Sequence, residues 1–342
     1  MIFWHKMHLI KMTDPNVFVS FVYYEKNTER HQENLRFFLR EGVERFRSSH
    51  IDIHLTINGH DCQVELPESG ITIHRRDNVG FDFGAHYECL KYALEKVGGN
   101  IDALPYNTYI FLNGGQRGPF LPEYWPTDKH WSDVFTDKFD KHGIVGSSQF
   151  YHKDGSPVIE TWAFALRKDA FKIAWTDGTI FRIHPTKLSA VLAEDHLTPL
   201  LVQHGLTYSS LLLKYGKNTN QTNRFDIPSR PWSYEGINLN PLETVFYKTY
   251  WDSSANELEN LYNDPVEIRY TQWKYGEAEG ARTLPETVVK RSAGDETPHH
   301  VHPKSNNGKW MIGGAIACAV ALVSVVIYFA IYLVIYLAVR RQ

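Results

Sequence analysis

Residues 109–112 (Tyr-Ile-Phe-Leu) make a short apolar, β-prone run that stops at Asn113-Gly114-Gly115. An apolar run of that length bounded by turn residues predicts a buried strand. The glycines free the backbone to take positive φ, Arg117 follows, and Gly118-Pro119 closes the turn. A buried strand that ends in a polar, glycine-rich loop is where open α/β sheets place ligands. A plain exit from strand to loop carries the same local signature.

The rest of the chain supplies a setting for that strand. Residues 17–24 (Val-Phe-Val-Ser-Phe-Val-Tyr-Tyr) predict another buried strand. Over 28–47, Leu35, Phe38, Leu39, Val43 and Phe46 recur at helical spacing. Ile51, Ile53, Leu55 and Ile57 alternate with polar residues, which predicts a strand. Residues 70–75 predict a third, 85–97 a helix, and 109–112 the strand above. The order β-α-β-β-α-β predicts an α/β fold with a mainly parallel sheet flanked by helices. Beyond it, 124–131 is rich in Pro and aromatics. Residues 143–149 and 158–166 predict strands, 168–175 and 196–204 predict helices, and 208–215 is a further apolar run.

The C-terminal part differs in composition. Residues 277–310 are polar and predict a flexible stalk; its His299, His300 and His302 read as an adventitious metal site or, the favoured reading, as part of a solvated linker. Residues 311–339 carry no charge, and as a helix would extend roughly 43 Å, more than the ~30 Å of a hydrocarbon core. A single-pass transmembrane helix is therefore expected over 311–339, with a basic tail at 340–342 and an α/β domain over 1–276. The N-terminus shows neither a continuous apolar segment nor a small-residue cleavage site, so no signal peptide is expected. Lys304 and Lys309 before the span nearly balance Arg340 and Arg341 after it. The length of the span favours a thicker membrane, later in the secretory pathway, and a Golgi or ER membrane is expected.

Charge excludes one class of partner. With 36 basic and 39 acidic residues the net charge is −3, which argues against nucleic acid. Cys318 lies in the apolar segment, so at most one disulfide, Cys62–Cys89, is available, and neither a cysteine framework nor a zinc spacing is present. Asn220-Gln221-Thr222 is a glycosylation sequon that matters only on a lumenal face.

Three constellations carry candidate chemistry. Residues 75–85 join a strand to a helix. Gly80 and Gly84 allow close backbone approach, and free N–H groups at the helix start favour an anion. Asp77, Asn78 and Asp82 offer hydrogen bonds to a nucleotide, and Arg75 or Arg76 a cation for a diphosphate. Neither a Walker loop nor a dinucleotide fingerprint is present, and an Asp-capped turn explains the stretch as well. The second is the loop Asn113, Gly114 and Arg117. The third is Glu194-Asp195 ahead of Leu197, Leu200 and Leu201. It reads either as an acidic pair for proton transfer or as acidic residues favoured by a helix dipole. Glu160 lies in a strand-like run before Trp162. The pair reads as an acceptor carboxylate with a ring-stacking Trp, or as a solvated Glu beside a core Trp. His184 and His204 read as ligands or phosphate partners, or, the favoured reading, as ordinary core or surface histidines.

The succession Asp-Asn-Val-Gly-Phe-Asp-Phe-Gly-Ala (77–85), Tyr-Ile-Phe-Leu-Asn-Gly-Gly-Gln-Arg-Gly-Pro-Phe (109–120), Gly143–Gly146, 160–166, 211–215 and 240–248 resembles the rhamnan-synthesis F group of glycosyltransferases. These are similar in turn to nucleotide-sugar enzymes of the GT-A fold. The resemblance covers roughly residues 16–250 and implies a GT-A-like, Rossmann-like domain. It implies a nucleotide-sugar donor held by Asp77, Asn78, Gly80, Asp82, Asn113, Gly114 and Arg117. Glu194, Asp195 or Glu160 would act on a glycan or glycolipid acceptor hydroxyl. GT-A enzymes commonly hold a divalent cation, Mg²⁺ or Mn²⁺, on an Asp-x-Asp where this strand ends. Here Asn113-Gly114-Gly115 stands instead, so no cofactor and no metal ligand is assigned, and Arg117 is the substitute cation. The expected function is a membrane-anchored hexosyl- or deoxyhexosyltransferase. The alternative is a non-catalytic glycan-binding or pseudo-glycosyltransferase domain on a membrane stalk.

Overall fold

In the computed structural model, residues 16–26, 29–46, 48–122, 124–212 and 239–249 are described. The expected stalk, apolar span, basic tail, sequon, His299, His300, His302 and part of the 208–215 run lie outside them. Among the described residues no helix is long and apolar enough to cross a membrane.

Strand β1 (Val17–Tyr24) and strand β4 (Thr108–Asn113) are buried along nearly their whole length. A strand covered on both faces needs a continuous apolar run, which is what both sequences offer. They pair in parallel, Val17 with Thr108 through Val22 with Asn113. Strand β2 (Ile51–Asn58) lies on the other side of β1, and β3 (Thr72–Arg76) is the edge beyond it. On the far side of β4 come β9 (Ala163–Arg167), β6 (Ile144–Gly146) and β10 (Tyr208–Ser210). The order is β10-β6-β9-β4-β1-β2-β3, and among the described residues only β9 runs antiparallel in this sheet. Two small ladders flank it: β5 (Gln116–Arg117) with β11 (Tyr247–Lys248), and β7 (Gln149–Tyr151) with β8 (Pro157–Ile159).

Helices cover both faces. On one side α1 (Glu29–Phe38), the wide π turn that continues it over Leu39–Glu44, and α3 (Asp133–Thr136) pack Leu35, Phe38, Trp131 and Phe135 onto Val19, Phe21 and Leu55. On the other, α2 (Phe81–Glu95), α4 (Lys168–Asp177) and α5 (Lys187–Gln203) pack Leu90, Phe171 and Leu197 onto Phe18, Tyr109 and Phe111. Burying one such side chain contributes about 1.5–3 kcal/mol. Cys62 and Cys89 are both free thiols, so the disulfide between them does not form.

This arrangement fixes where a ligand can sit. The chain leaves β1 through α1 on one face and returns from β3 to β4 through α2 on the other. The carboxyl ends of β1 and β4 are therefore a topological switch point, where open α/β sheets form a crevice.

One glycine holds the loop after β4 to the 239–249 segment. A Cβ on Gly118 would stand 2.4 Å from Phe246 Cδ1 and 2.6 Å from the Val245 carbonyl oxygen. Gly118→Ala is accordingly expected to destabilise the domain by about 1–3 kcal/mol through overpacking, read as a lower urea midpoint at unchanged slope. An unchanged midpoint would mean that α6 (Pro241–Thr244) and β11 do not seat against this loop.

Candidate functional site

The loop after β4 is tied down from several sides. Asn113 Oδ1 accepts the Gly115 N–H at 3.0 Å, while its Nδ2 donates to Asp82 Oδ2 at 2.9 Å. Gly114 N–H donates to the Val22 carbonyl of β1 at 2.7 Å. Beneath the loop, Asn34 of α1 donates through Nδ2 to Gly114 O at 3.0 Å and to Thr249 Oγ1 at 2.7 Å. Asn34 Oδ1 accepts from Arg117 Nε at 2.9 Å. Arg117 is buried, so the cation expected to face a diphosphate lies on the underside of the loop, where it positions Asn34. Lys248 is brought to this edge of the sheet by the β5–β11 ladder, and Lys26 lies near enough to act on Asp82 as well.

Glu194 is the centre of the electrostatics. It lies in the middle of α5, not ahead of a helix, because α5 begins nine residues earlier than 196, at Lys187, with Thr186 as its cap. That removes the helix-dipole explanation for an acidic residue here. Thr198, one turn later, accepts the Ile159 N–H at 3.0 Å and holds α5 against β8. Burial pushes the Glu194 carboxyl up to about 6. Lys248 and a hydrogen bond from Thr161 work the other way, while the nearby Asp82 and Glu160 carboxylates add to the rise. Glu160 is buried and accepts from Ser148 Oγ at 2.5 Å.

Asp82 completes the group. Its side chain reaches water, yet crowding by the surrounding protein raises its carboxyl pKa, with Lys248, the Asn113 hydrogen bond and Lys26 opposing. The backbone leading into it is unusual: Gly80 and Phe81 both have positive φ, 78° and 60°. For an aromatic residue this conformation costs of order 1–3 kcal/mol, and such strain gathers at functional sites.

Asp82, Asn113, Glu160 and Glu194 are thus brought together from α2, β4, the 160–162 turn and α5. The other candidates fall elsewhere. Asp77 is exposed and pairs with His60 at 3.0 Å, and Asn78 is exposed beside it, both next to the β2–β3 edge. The space opened by Gly80 and Gly84 is filled by Ile183 and His184, not left for an anion. Arg76 is spent on Glu88 (2.6 Å), Asn58 (2.6 Å) and the Val79 carbonyl (2.8 Å). Asp195 points away from Glu194 to His152, at 3.2 Å. Trp162 is a core residue packed with Val145 and Leu211, not a ring-stacking surface. His184 and His204 bond to the Ile180 and Leu200 carbonyls, as ordinary structural histidines do. Thr161 and Lys248 had no local signal. Lys248 is set beside the loop by a strand pairing across more than a hundred residues.

Oxygen ligands of Asp82, Glu160 and Glu194 suit Mg²⁺ or Mn²⁺. Among the described residues, however, the three carboxylates do not gather their oxygens within 4.8 Å of one another, whereas a His/His/Cys group elsewhere does. Lys248 stands among them instead.

No family profile matches the chain, and neither does any curated protein. The likeness to the rhamnan-synthesis F group thus finds no match. Among solved structures, the glycosyltransferase GlyE of Streptococcus pneumoniae TIGR4 is similar at 13% identity and a TM-score of 0.35. The alignment covers 81% of this chain and 64% of that one, so this chain spans under two thirds of its length.

Proposed function

We propose that the crevice at the ends of β1 and β4 is the active site of a glycosyltransferase that moves a sugar from a nucleotide-sugar donor to an acceptor hydroxyl on a glycan or glycolipid. The observation that carries this reading is Glu194: a carboxyl with a pKa near 6, mid-helix, facing a cation and two further carboxylates. A base must be ionised at working pH yet basic enough to take a proton, and a pKa near neutrality meets both demands. In this reading Glu194 takes the proton from the acceptor hydroxyl as its oxygen bonds to the anomeric carbon. The bond from that carbon to the diphosphate oxygen breaks, and the nucleoside diphosphate leaves with the electron pair. Lys248 opposes the charge that develops on the leaving group, the part usually given to a cation. Asn113 holds Asp82 beside the sugar, and Glu160, fixed by Ser148, keeps the Glu194 carboxyl high. Because the carboxylates do not converge as metal ligands, no step is assigned to a divalent cation. Segment 311–339 anchors the domain to a Golgi or ER membrane.

Full-length protein offered a panel of nucleotide sugars is expected to release nucleoside diphosphate from at least one. Binding of a glycan without turnover of any donor would favour the non-catalytic reading. Asp195→Asn is expected to leave kcat/KM within about twofold, because Asp195 faces His152. A loss as deep as that of a Glu194 variant would move the base to Asp195.

A further inference from the structure

The face of β2 turned toward α2 is polar and yet buried. Asp52, His54, Thr56 and Asn58 alternate with the apolar set of the strand, and His54, Thr56 and Asn58 are almost wholly out of solvent. Alternation of this kind ordinarily marks a face left in water. Here α2 covers it, with Cys89 seated against the strands. His54 pairs with Thr72 and Thr56 with His74, so the two imidazoles sit diagonally on one face of neighbouring strands. Their facing nitrogens, His54 Nδ1 and His74 Nε2, are 2.8 Å apart and the rings nearly coplanar, at 5°. One ligand atom from each of His54, His74 and Cys89 lies within 4.8 Å of the others. His54 Nε2, with no solvent contact, has Asp52 Oδ1 at 3.1 Å but no hydrogen bond of acceptable angle. Asp52 is itself held by the Tyr106 hydroxyl at 2.5 Å.

We propose that His54, His74 and Cys89 form a binding site for a zinc ion that clamps β2, the edge strand β3 and α2. The donor set is two imidazoles and a thiolate, three of the four ligands of a tetrahedral zinc, with the fourth position falling to water, and the combination suits Zn²⁺ over Mg²⁺ or Ca²⁺. Two nitrogens on a tetrahedral zinc at ~2.05 Å stand about 3.3 Å apart. The ion is therefore admitted by roughly half an ångström of separation and a turn of the rings out of their shared plane. With His54 Nδ1 on the metal, its Nε2–H faces Asp52, the carboxylate–histidine–metal arrangement that fixes tautomer and ring. Binding releases the Cys89 thiol proton and replaces the hydrogen bond between the rings. His74 is half-buried on the sheet edge and gives the ion its way in. The site is distinct from the carboxylate crevice. Its bearing on that crevice is mechanical, since α2 carries both Cys89 and Asp82.

The test uses full-length protein, stripped with a chelator, in which His299, His300 and His302 are replaced by Ala so that they contribute no ligands. Cobalt(II) is titrated in and the thiolate-to-metal charge-transfer band is followed. One equivalent of cobalt should develop the band, and zinc should displace it. Cys89→Ser should abolish the band, and His74→Gln should weaken binding at least tenfold, with far-UV circular dichroism confirming that both variants fold. Zinc should raise the melting temperature of the unsubstituted site by several degrees and leave the variants unmoved. Absence of a charge-transfer band, or a band that survives Cys89→Ser, would overturn the site.

Discussion

Glu194→Gln is expected to lower kcat/KM for donor turnover by about 10²- to 10⁴-fold, the range for loss of a general base. The amide keeps the size and the hydrogen bonds of the side chain but cannot take a proton. The pH profile carries the same assignment. With the carboxyl at about 6, activity of the unmodified protein should be flat above that pH. Below it, activity should fall about tenfold per unit. The variant should lose that limb. Stability should move the other way. Burial raises the folded-state pKa of Glu194 from 4.5 to about 6, so its contribution is fully present below pH 4.5 and is lost as pH rises through 6. At pH 7 the ionised carboxylate therefore costs the fold something, about 1–2 kcal/mol after discount for the solvent that still reaches it. Glu194→Gln should accordingly raise the melting temperature at pH 7 and leave it unchanged near pH 4. A variant that is more stable and inactive separates a functional carboxylate from a structural one.

Lys248→Met is the second large effect, a loss of about 10²- to 10³-fold, as for removal of one charge-stabilising donor. It makes a second prediction. Lys248 holds the Glu194 carboxyl down against burial and its two acidic neighbours. Without it, the acid limb of whatever activity remains should move to higher pH. Methionine retains the apolar stem against the β5–β11 ladder, so the domain should stay folded. A fall in rate with the limb unmoved would mean that Lys248 acts on the diphosphate but does not neighbour Glu194. An unchanged rate would remove it from the site.

The parts of the fold legible in the sequence are those whose signal is local. β1 and β4 are apolar on both faces, and their continuous runs announce central strands with nearly the observed bounds. The sequence pattern marks α5 only from 196, nine residues after its start at Lys187. Leu188, Val191 and Leu192 are exposed on its outer face while Ala190, Ala193 and Leu197 are buried within, so no apolar period marks its start. Residues 158–166 read as one strand. The structure divides them at 160–162, where the chain leaves the β7–β8 ladder for the main sheet, and that break places Glu160 and Thr161 beneath Glu194.

The candidate site was legible in the same uneven way. Asp82, Asn113 and Glu194 stand out by sequence because each sits at the end of an element or in an acidic pair. Arg117 departs from its expected place for a physical reason: a loop arginine two residues from a glycine pair looks solvent-facing, but here the β5–β11 ladder turns it under the loop to Asn34. The missing carboxylate at 113 is explained by the same geometry. Asn113 must donate to Asp82 and accept from Gly115 at once. An aspartate could not donate while ionised, and would set a second negative charge against Asp82. The polar face of β2 was legible as alternation, but its burial under α2 was not, because alternation is silent about what covers it.

The most direct measurement is release of nucleoside diphosphate by the full-length protein and its Glu194→Gln variant across a panel of nucleotide sugars, from pH 5 to 8. The expected result is turnover of one donor with an acid limb near pH 6, lost together with the activity in the variant. Turnover of no donor, or a variant that retains both rate and limb, would contradict the assignment of this crevice as a sugar-transfer site.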